Sequence, residues 1–257
     1  VDLKIEKINW NEVRDMQLAF FKSGVPHLDI PQDHSFVAAL DNYAEKYNIN
    51  YILNGGNIST EVVVNPNAWG YWGTDMRHIK DILSQFGTVP METYPFTNIF
   101  KRKIFMPYIK RIKVVKLLNY IPYVKKEAEE LLKNEYGWEP YPQKHFESIM
   151  TKFLEGYWLP ERFGYDVRKA QFSSLILTGQ MTREEAIEKL KEPPLSEEES
   201  AELFSKVAEM LEISEEELHS YLTMPLKTYK DYKNQSSIIT IGSKILYFLK
   251  IDKLIRK

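Results

Sequence analysis

The chain has 257 residues, of which 44% are hydrophobic and 27% charged, the balance of an ordinary globular protein. Its 34 lysines and arginines nearly match its 36 aspartates and glutamates, so no overall positive field attracts nucleic acid. There is no cysteine, which excludes disulfides, thiolate metal sites and a cysteine nucleophile. No run of about 20 apolar residues is present, so we expect no transmembrane segment.

The first third of the chain predicts an α/β arrangement. Asp2–Trp10 alternates apolar and charged side chains and predicts a strand. Helices are predicted over Asn11–Phe21 and over Asp33–Tyr47, the second with an apolar stripe at helical spacing. Tyr51–Leu53 predicts a short buried strand, which a pair of glycines follows. Helix, turn, apolar strand and glycines in this order indicate a parallel sheet.

The rest of the chain is predicted to become mainly helical. A helix over Asp75–Phe86, a strand over Lys113–Ile121 and a helix over Lys125–Tyr136 complete the α/β part. Further helices are predicted at His145–Trp158, Ser173–Leu177 and Thr182–Leu190, and after capping signals at Ser196 and Ser214. A Pro-Pro pair marks a linker before the last two. The predicted parts are residues 1–136, 137–192 and 193–257.

The strand end with its glycines is the first candidate binding site. In doubly wound folds, ligands bind outside the carboxyl ends of the strands. Gly55 and Gly56 let the backbone approach an anion, and Asn57 and Thr60 add polar side chains. Glu61 could hold Mg²⁺ or a ribose. A glycine turn followed by a helix-capping serine or threonine is the alternative explanation, because a Gly-Gly pair is a weak signal.

A second candidate site lies after residue 137. If His145 opens a helix, Lys144, Ser148 and Lys152 recur four residues apart and share one face, which suits phosphate or a polar sugar. A solvated helix face is the alternative. The five histidines of the chain show no ligand spacing, so we expect no zinc site.

Two stretches combine basic and apolar residues. Residues 101–116 interleave lysine and arginine with phenylalanine and tyrosine, and residues 238–257 are apolar and then basic. Either stretch could meet an anionic membrane surface. A solvated surface for the first, and packing on its own domain for the second, are the alternatives.

A series of motifs resembles the N-acetyl sugar amidotransferases, a family of the PP-loop ATP pyrophosphatases. The motifs occur in the right order over roughly residues 3–192. They are Asn54-Gly55-Gly56-Asn57-Ile58-Ser59-Thr60-Glu61, Asp75-Met76-Arg77-His78-Ile79-Lys80 with Phe86-Gly87, Leu117-Leu118-Asn119-Tyr120-Ile121, Gly137-Trp138-Glu139-Pro140-Tyr141, Lys144-His145-Phe146-Glu147-Ser148, residues 159–168, Ser173-Ser174-Leu175-Ile176, and residues 179–186.

The resemblance implies a reaction in bacterial lipopolysaccharide and related surface-glycan synthesis. ATP adenylates the amide oxygen of an acetamido sugar and pyrophosphate is released. Ammonia then attacks the activated amide carbon and displaces AMP together with that oxygen. The product carries an acetamidino group. The acceptor is a nucleotide-linked or similar sugar, Mg²⁺ accompanies ATP, and a separate glutaminase subunit supplies the ammonia. The resemblance also implies a cytoplasmic location. The lack of cysteine agrees with a separate glutaminase, since this chain has no thiol nucleophile.

The site residues fall into three predicted groups. The nucleotide side comprises Gly55, Gly56, Asn57, Thr60 and Glu61, with Glu61 also a possible magnesium ligand. His145, Glu147 and Ser148 are predicted to bind the acceptor sugar. Lys152, Arg162 and Arg168 are predicted to be catalytic, because fixed cations stabilise charge on a departing pyrophosphate or a sugar-linked phosphate.

The sequence departs from the family in one respect. The pyrophosphate-binding Ser-Gly-Gly-x-Asp-Ser loop, the second strand and the N-terminal cysteine pairs are absent from the 257 residues. The resulting fold prediction is α/β, an incomplete doubly wound parallel sheet of the adenine nucleotide alpha hydrolase type, followed by a mainly helical C-terminal part. Because the chain begins inside a predicted strand, we expect a fragment of a longer enzyme, with unpaired strand edges.

Two other functions fit the same residues. The chain could be a non-catalytic sugar-binding or scaffolding remnant of the family. It could also be a PP-loop enzyme that acts on another acceptor such as tRNA, although the nearly neutral charge and the lack of cysteine count against this. In either the truncated enzyme or the remnant, the isolated chain is predicted not to hydrolyse ATP.

Overall fold

The computed structural model describes residues 2–61 and 70–248. The strands are β1 (Tyr51–Asn54) and β2 (Lys113–Lys116). The helices are α1 (Trp10–Ser23), α2 (Ile30–Lys46), α3 (Met76–Phe86), α4 (Lys125–Tyr136), α5 (Ile149–Phe153), α6 (Leu159–Phe163), α7 (Arg168–Leu177), α8 (Arg183–Lys189), α9 (Glu197–Leu211), α10 (Glu215–Thr223) and α11 (Ser236–Phe248). Two π-helical segments, Lys101–Ile109 and Leu154–Trp158, and short 3₁₀ turns at Leu117–Asn119 and Tyr229–Asp231 complete the described elements.

The sheet of the described residues is smaller than a doubly wound sheet. It consists of β1 and β2, paired in parallel with Tyr51 opposite Lys113. The predicted strand over Asp2–Trp10 is wrong, because residues 2–9 are irregular and α1 begins at Trp10. An alternating sequence forms a strand only when a neighbour accepts its backbone hydrogen bonds, and these residues have no such neighbour in the described part of the chain. The predicted strand at Lys113 is also shorter, ending at Lys116.

Helix α2 buries a different face from the one its apolar stripe predicts. Phe36 and Leu40 are exposed, at 55% and 51% of their full surface. The buried face carries His34 and Asp41, which hydrogen bond the Thr97 backbone N–H and hydroxyl group, respectively. Buried polar groups of this kind need partners. A polar network to residue 97 therefore fixes α2; of its predicted apolar stripe, Ala44 is buried beside the sheet, whereas Phe36 and Leu40 are left on the surface.

The main hydrophobic core joins the first helix to the C-terminal helices. Phe21 of α1 packs edge-to-face on Trp158, with ring centroids 4.7 Å apart. Val207 and Leu211 of α9 and Leu218 of α10 lie in the same cluster and are fully buried. The core thus includes residues from all three predicted parts of the chain. A separate small cluster of Ala44, Met106 and Ile112, with Ile52 and Phe105 against it, lies beside the sheet.

Several predicted helix starts are confirmed by their side-chain caps. Asp75 accepts hydrogen bonds from the N–H groups of Arg77 and His78, and so begins α3. Thr182 and Ser196 form complete capping boxes at the starts of α8 and α9. Such caps satisfy N–H groups that have no partner within the helix.

None of the described helices is long and apolar enough to span a membrane, as the composition predicts. Ile238 and Ile241 of α11 are exposed. The predictions for residues 249–257 of the tail lie outside the described residues, as do any for residues 62–69.

Candidate functional site

The loop after β1 is organised by the side chain of Asn57. Its carbonyl oxygen accepts hydrogen bonds from the N–H groups of Ser59 and Thr60, both at 2.9 Å. Its amide nitrogen donates to the Thr60 hydroxyl at 2.8 Å. Asn57 is only 4% exposed, so its side chain lies inside the loop and stabilises the loop conformation. Gly55 has open space around it, whereas the Asn54 side chain crowds Gly56 and accepts its N–H at 2.6 Å.

Lys144 connects this loop to the helical part of the chain. Its ammonium group donates to the Thr60 carbonyl and to the Glu61 carboxylate, each at 2.7 Å. The partners are more than 80 residues apart in sequence. The structure therefore brings the predicted nucleotide side, Thr60 and Glu61, next to the segment that was predicted to face the acceptor.

A pocket of about 290 Å³ lies at this junction. Thr60 and Lys144 line it together with Arg168, and the cations Lys125 and Lys189 line it as well. The remaining walls are mostly uncharged: Pro142, Gln143, Gln171, Phe172, Leu175 and Met181. Three lysines and an arginine around one cavity favour an anionic ligand, and phosphate groups are bound by such side chains.

On the other side of Lys144, His145 forms a hydrogen bond with a carboxylate of the helical part. Its Nδ1 atom lies 2.9 Å from Oε1 of Glu155. This hydrogen bond raises the pKa of the His145 imidazole, with a further contribution from the negative charge of Glu155. His145 was predicted to bind sugar, whereas no sequence pattern pointed to Glu155.

Two more carboxyl groups lie near this pair. The pKa of Asp33 is raised to about 6, first by desolvation and then by the negative charges of Asp29 and Glu155, while His145 lowers it. Asp29 accepts a hydrogen bond from the Tyr71 hydroxyl at 2.5 Å, and desolvation raises its pKa as well. Like charges that share a poorly solvated region disfavour each other's ionised forms. Shifted carboxyl groups next to a histidine are typical of functional sites, although structural networks show them too.

The three predicted catalytic cations occupy different environments. Arg168 lines the pocket and forms a two-pronged ion pair with Asp166, with nitrogen–oxygen distances of 2.7 Å and 3.0 Å. Arg162 is 8% exposed and donates to the carbonyls of Leu222 and Met224, so it holds the end of α10. Lys152 pairs with a carboxylate of α9, Glu199, at 3.3 Å.

The segment before α5 differs from its prediction. The helix expected from His145 begins at Ile149, because Ser148 caps it by accepting the Thr151 N–H at 3.3 Å. Lys144, Ser148 and Lys152 therefore do not share a helix face. Glu147 lies in the turn before the cap, with its side chain exposed.

The fit to a magnesium ion is limited to one ligand. Among residues 2–61 and 70–248, no three histidine, aspartate or glutamate side chains are arranged to hold a metal ion. The Glu61 carboxylate, the predicted ligand, is paired with Lys144. Mg²⁺ commonly binds through one or two carboxylates and substrate phosphates. Glu61 therefore fits Mg²⁺ only as a single ligand of an ion that a bound nucleotide brings with it.

Residues 147–246 match a family model, described as the C-terminal domain of WbpG-like LPS biosynthesis proteins. The match begins just after His145 and includes Glu155, Arg168 and Lys189. Among curated proteins and among solved structures, nothing matches the chain. The helical part of this chain, which supplies Arg168 and Lys189 to the pocket, is thus similar to a domain of proteins of lipopolysaccharide biosynthesis.

Proposed function

We propose that this chain forms the acceptor side of an ATP-dependent amidotransferase of bacterial surface-glycan synthesis. The enzyme converts a sugar acetamido group into an acetamidino group, uses ammonia from a partner glutaminase, and releases AMP and pyrophosphate. The contact of Lys144 with Thr60 and Glu61 is the observation that carries the proposal. It brings the loop after β1, a usual place for a nucleotide in α/β proteins, next to the pocket of the WbpG-like part.

The charge of the pocket supports an acceptor or product that carries phosphate. Lys189 lines the pocket, and within the described residues it forms no ion pair. Lys125 and Lys144 pair with carboxylates that are partly exposed, and these pairs can open to a ligand. In this proposal the pocket binds the phosphate of a nucleotide-linked sugar, or the pyrophosphate that leaves.

ATP and Mg²⁺ are the cofactors of this proposal. When bound, Mg²⁺ neutralises phosphate charge and orients the nucleotide. The chain's own contribution at this point is the Asn57-ordered loop, whose Thr60 and Glu61 face Lys144. We place the reaction in the bacterial cytoplasm, the compartment that contains ATP.

The alternative is a non-catalytic sugar-binding or scaffolding role. The 257 residues contain no Ser-Gly-Gly-x-Asp-Ser loop, so we expect the purified chain alone to form no AMP and pyrophosphate from ATP. An assay that detects both products from the pure chain would overturn this expectation.

Deletion of the gene in its own bacterium tests the proposed function. We expect the surface polysaccharide to keep its sugars and to carry acetamido groups where the parent strain has acetamidino groups. Mass spectrometry and carbon NMR of the purified polysaccharide distinguish the two groups. A parent strain without acetamidino sugars would contradict the amidotransferase, and an unchanged glycan in the deletion strain would contradict any role in this step. Loss of the acetamidino groups also when only the pocket variant Lys189→Gln is present would show that ligand binding in the pocket is needed, which excludes a purely scaffolding role.

A further inference from the structure

The hydrogen bond between His145 and Glu155 fixes one nitrogen of the imidazole and leaves the other available. The Nδ1–H of His145 donates to Oε1 of Glu155 at 2.9 Å. In the neutral ring this places a lone pair on Nε2. Within the described part of the chain, Nε2 has no hydrogen-bond partner. A carboxylate that orients a histidine in this manner is the arrangement by which proteins prepare a general base.

Unusual backbone conformations hold both members of the pair. His145 has a positive φ of 69°, in the left-handed region that non-glycine residues seldom occupy. Glu155 lies in the π-helical segment between α5 and α6, where one extra residue per turn shifts the direction of the side chains. Strained residues and π-helical turns concentrate at functional sites.

The charges around the pair favour a proton acceptor. Glu155 hydrogen bonds to His145 and so raises the pKa of the imidazole, while Lys144 lowers it through repulsion. The acids on the other neighbouring elements are Asp33 of α2 and Glu61 of the loop after β1. The second oxygen of Glu155, Oε2, is buried without a hydrogen-bond partner among the described residues.

The position of the pair in the fold connects it to the acceptor. Gln143 and Lys144, the two residues before His145, line the pocket. His145 is not itself a lining residue, but its imidazole interacts electrostatically with Lys144 and Glu61, so it lies beside the Lys144–Glu61 contact at the edge of the pocket. Its side chain remains 39% exposed, so a ligand can reach it.

From this geometry we infer that His145 is the base that accepts a proton from the attacking ammonia, and that Glu155 positions it. This inference rests on the proposed function. Ammonia forms a C–N bond to the carbon of the adenylated amide, and its nitrogen then carries a surplus proton. That proton moves to Nε2 of His145. The C–O bond to AMP breaks, AMP leaves with the electron pair, and the amidinium product remains.

A purely structural pair is the competing explanation. In that case Glu155 would only tie the turn at residue 145 to the helix, and its loss would lower stability without a specific effect on amidine formation. His145→Asn separates the two explanations, because asparagine tolerates the left-handed conformation but has no basic nitrogen. Glu155→Gln keeps the shape and removes the charge. His219→Asn is the matched control, since His219 is an exposed histidine on α10.

The experiment uses the native enzyme in extracts of the gene-deletion strain, complemented with each full-length variant. Extracts receive ATP, magnesium and ¹⁵N-ammonium chloride, with total ammonium adjusted at each pH so that the concentration of free ammonia stays constant, and mass spectrometry follows the label into acetamidino groups between pH 6 and pH 9. General bases contribute about 10²–10⁴-fold, so His145→Asn should reduce labelling by at least ~10²-fold. Glu155→Gln should reduce it less and move the acidic limb of the pH profile to lower pH, because the imidazole pKa falls. His219→Asn should match the parent, and thermal melting of the purified variants checks their folding.

The outcomes are distinguishable. Labelling by His145→Asn within about threefold of the parent would overturn the inference, since a base contributes far more than this. The inference would also be overturned if Glu155→Gln lowered labelling without moving the acidic limb of the pH profile. It would likewise be overturned if every variant with reduced labelling also had a correspondingly lower melting temperature. A parent extract that forms no labelled acetamidino group would instead overturn the proposed function, and this inference with it.

Discussion

The two hydrophobic regions of the molecule are packed to very different extents. Around the C-terminal helices, Trp158, Val207 and Leu218 are at most 1% exposed. Around the sheet, Tyr51 and Leu53 of β1 are 58% and 68% exposed. The C-terminal helices thus share a well-packed core with α1 and α3, whereas the sheet leaves apolar residues on the surface.

This difference shows which part of the chain provides stability. A two-stranded ribbon without further cover is marginal in water, since it buries little apolar surface. Here the sheet is supported by the small Ala44, Met106 and Ile112 cluster and by the Lys144 contacts. The stability of the folded chain therefore resides in the helical core, while the candidate site lies where the two regions meet.

The largest expected effect on the free energy of unfolding comes from a substitution in the well-packed region. Trp158→Ala should lower the free energy of unfolding by about 3–5 kcal/mol, because it removes a buried indole and leaves a cavity. The matched substitution in the open region, Leu53→Ala, should change it by less than about 0.5 kcal/mol. Urea denaturation followed by circular dichroism measures both. Similar losses for the two variants would contradict the comparison.

A buried histidine pair in the well-packed region should make the free energy of unfolding depend on pH. Nε2 of His27 lies 2.7 Å from Nε2 of His78, and both side chains are buried beside the ring of Tyr229. Burial lowers the pKa of His78 to about 4 and also lowers that of His27. The imidazole therefore binds a proton more readily in the unfolded chain than in the folded chain. The free energy of unfolding keeps its full value above pH 6.5 and decreases as the pH falls towards about 4.

The expected loss for His78 alone is about 3 kcal/mol over this interval. Urea denaturation between pH 4 and pH 7.5 measures it, and His78→Gln should flatten the curve. The Asp33 carboxyl, whose pKa is raised to about 6, opposes the trend in both proteins, so the difference between them isolates the imidazole. Parallel curves for parent and variant would show that the pair does not titrate as described.

A smaller effect compares one buried and one exposed carboxylate. Glu12 of α1 is 2% exposed and accepts hydrogen bonds from the N–H groups of Thr93 and Tyr94. Glu12→Ala leaves those groups without partners and should cost about 1–3 kcal/mol. Glu6, which accepts from the Tyr43 hydroxyl at the surface, is the control, and Glu6→Ala should have almost no effect. Equal effects would mean that the loop at residue 93 does not depend on α1.

The smallest expected effect concerns Lys152, a residue predicted to be catalytic. Its partly exposed ion pair with Glu199 is worth about 0–1 kcal/mol, so Lys152→Ala should barely change the melting temperature. Because Lys152 does not line the pocket, we also expect this variant to restore acetamidino groups in the deletion strain. Failure to restore them in a folded variant would return Lys152 to the catalytic assignment.

Local features of the sequence predicted the helices well. Capping side chains at Asp75, Thr182 and Ser196 fix the helix starts, and they depend only on residues within one turn. The prediction of a strand over Asp2–Trp10 was wrong because a strand needs a neighbouring strand to pair with. The alternation of apolar and charged side chains does not show whether such a neighbour exists. The prediction of the buried face of α2 was wrong for a similar reason, because His34 on that face bonds to Thr97, which is remote in sequence.

The candidate site could be predicted only in part. Thr60, Glu61, His145 and Arg168 were identified from motifs and from the position of the strand end, and the structure brings them to one region. Glu155 carries no sequence signal, because its role depends on a π-helical turn that no periodicity reveals. Lys125 and Lys189 belong to separate helices, so only the tertiary fold shows that they share a pocket.

If the junction of the two regions binds a phosphate-bearing ligand, as we propose, titration with inorganic pyrophosphate tests this binding most directly. NMR spectra of the ¹⁵N-labelled chain should show saturable shifts at Lys144, Arg168 and Lys189, and Lys189→Gln should weaken the binding. Lys103, an exposed lysine outside the pocket, is the internal control. Saturable shifts confined to the pocket are the predicted result. Shifts of equal size at Lys103 and Lys189, or none at the pocket, would contradict the account.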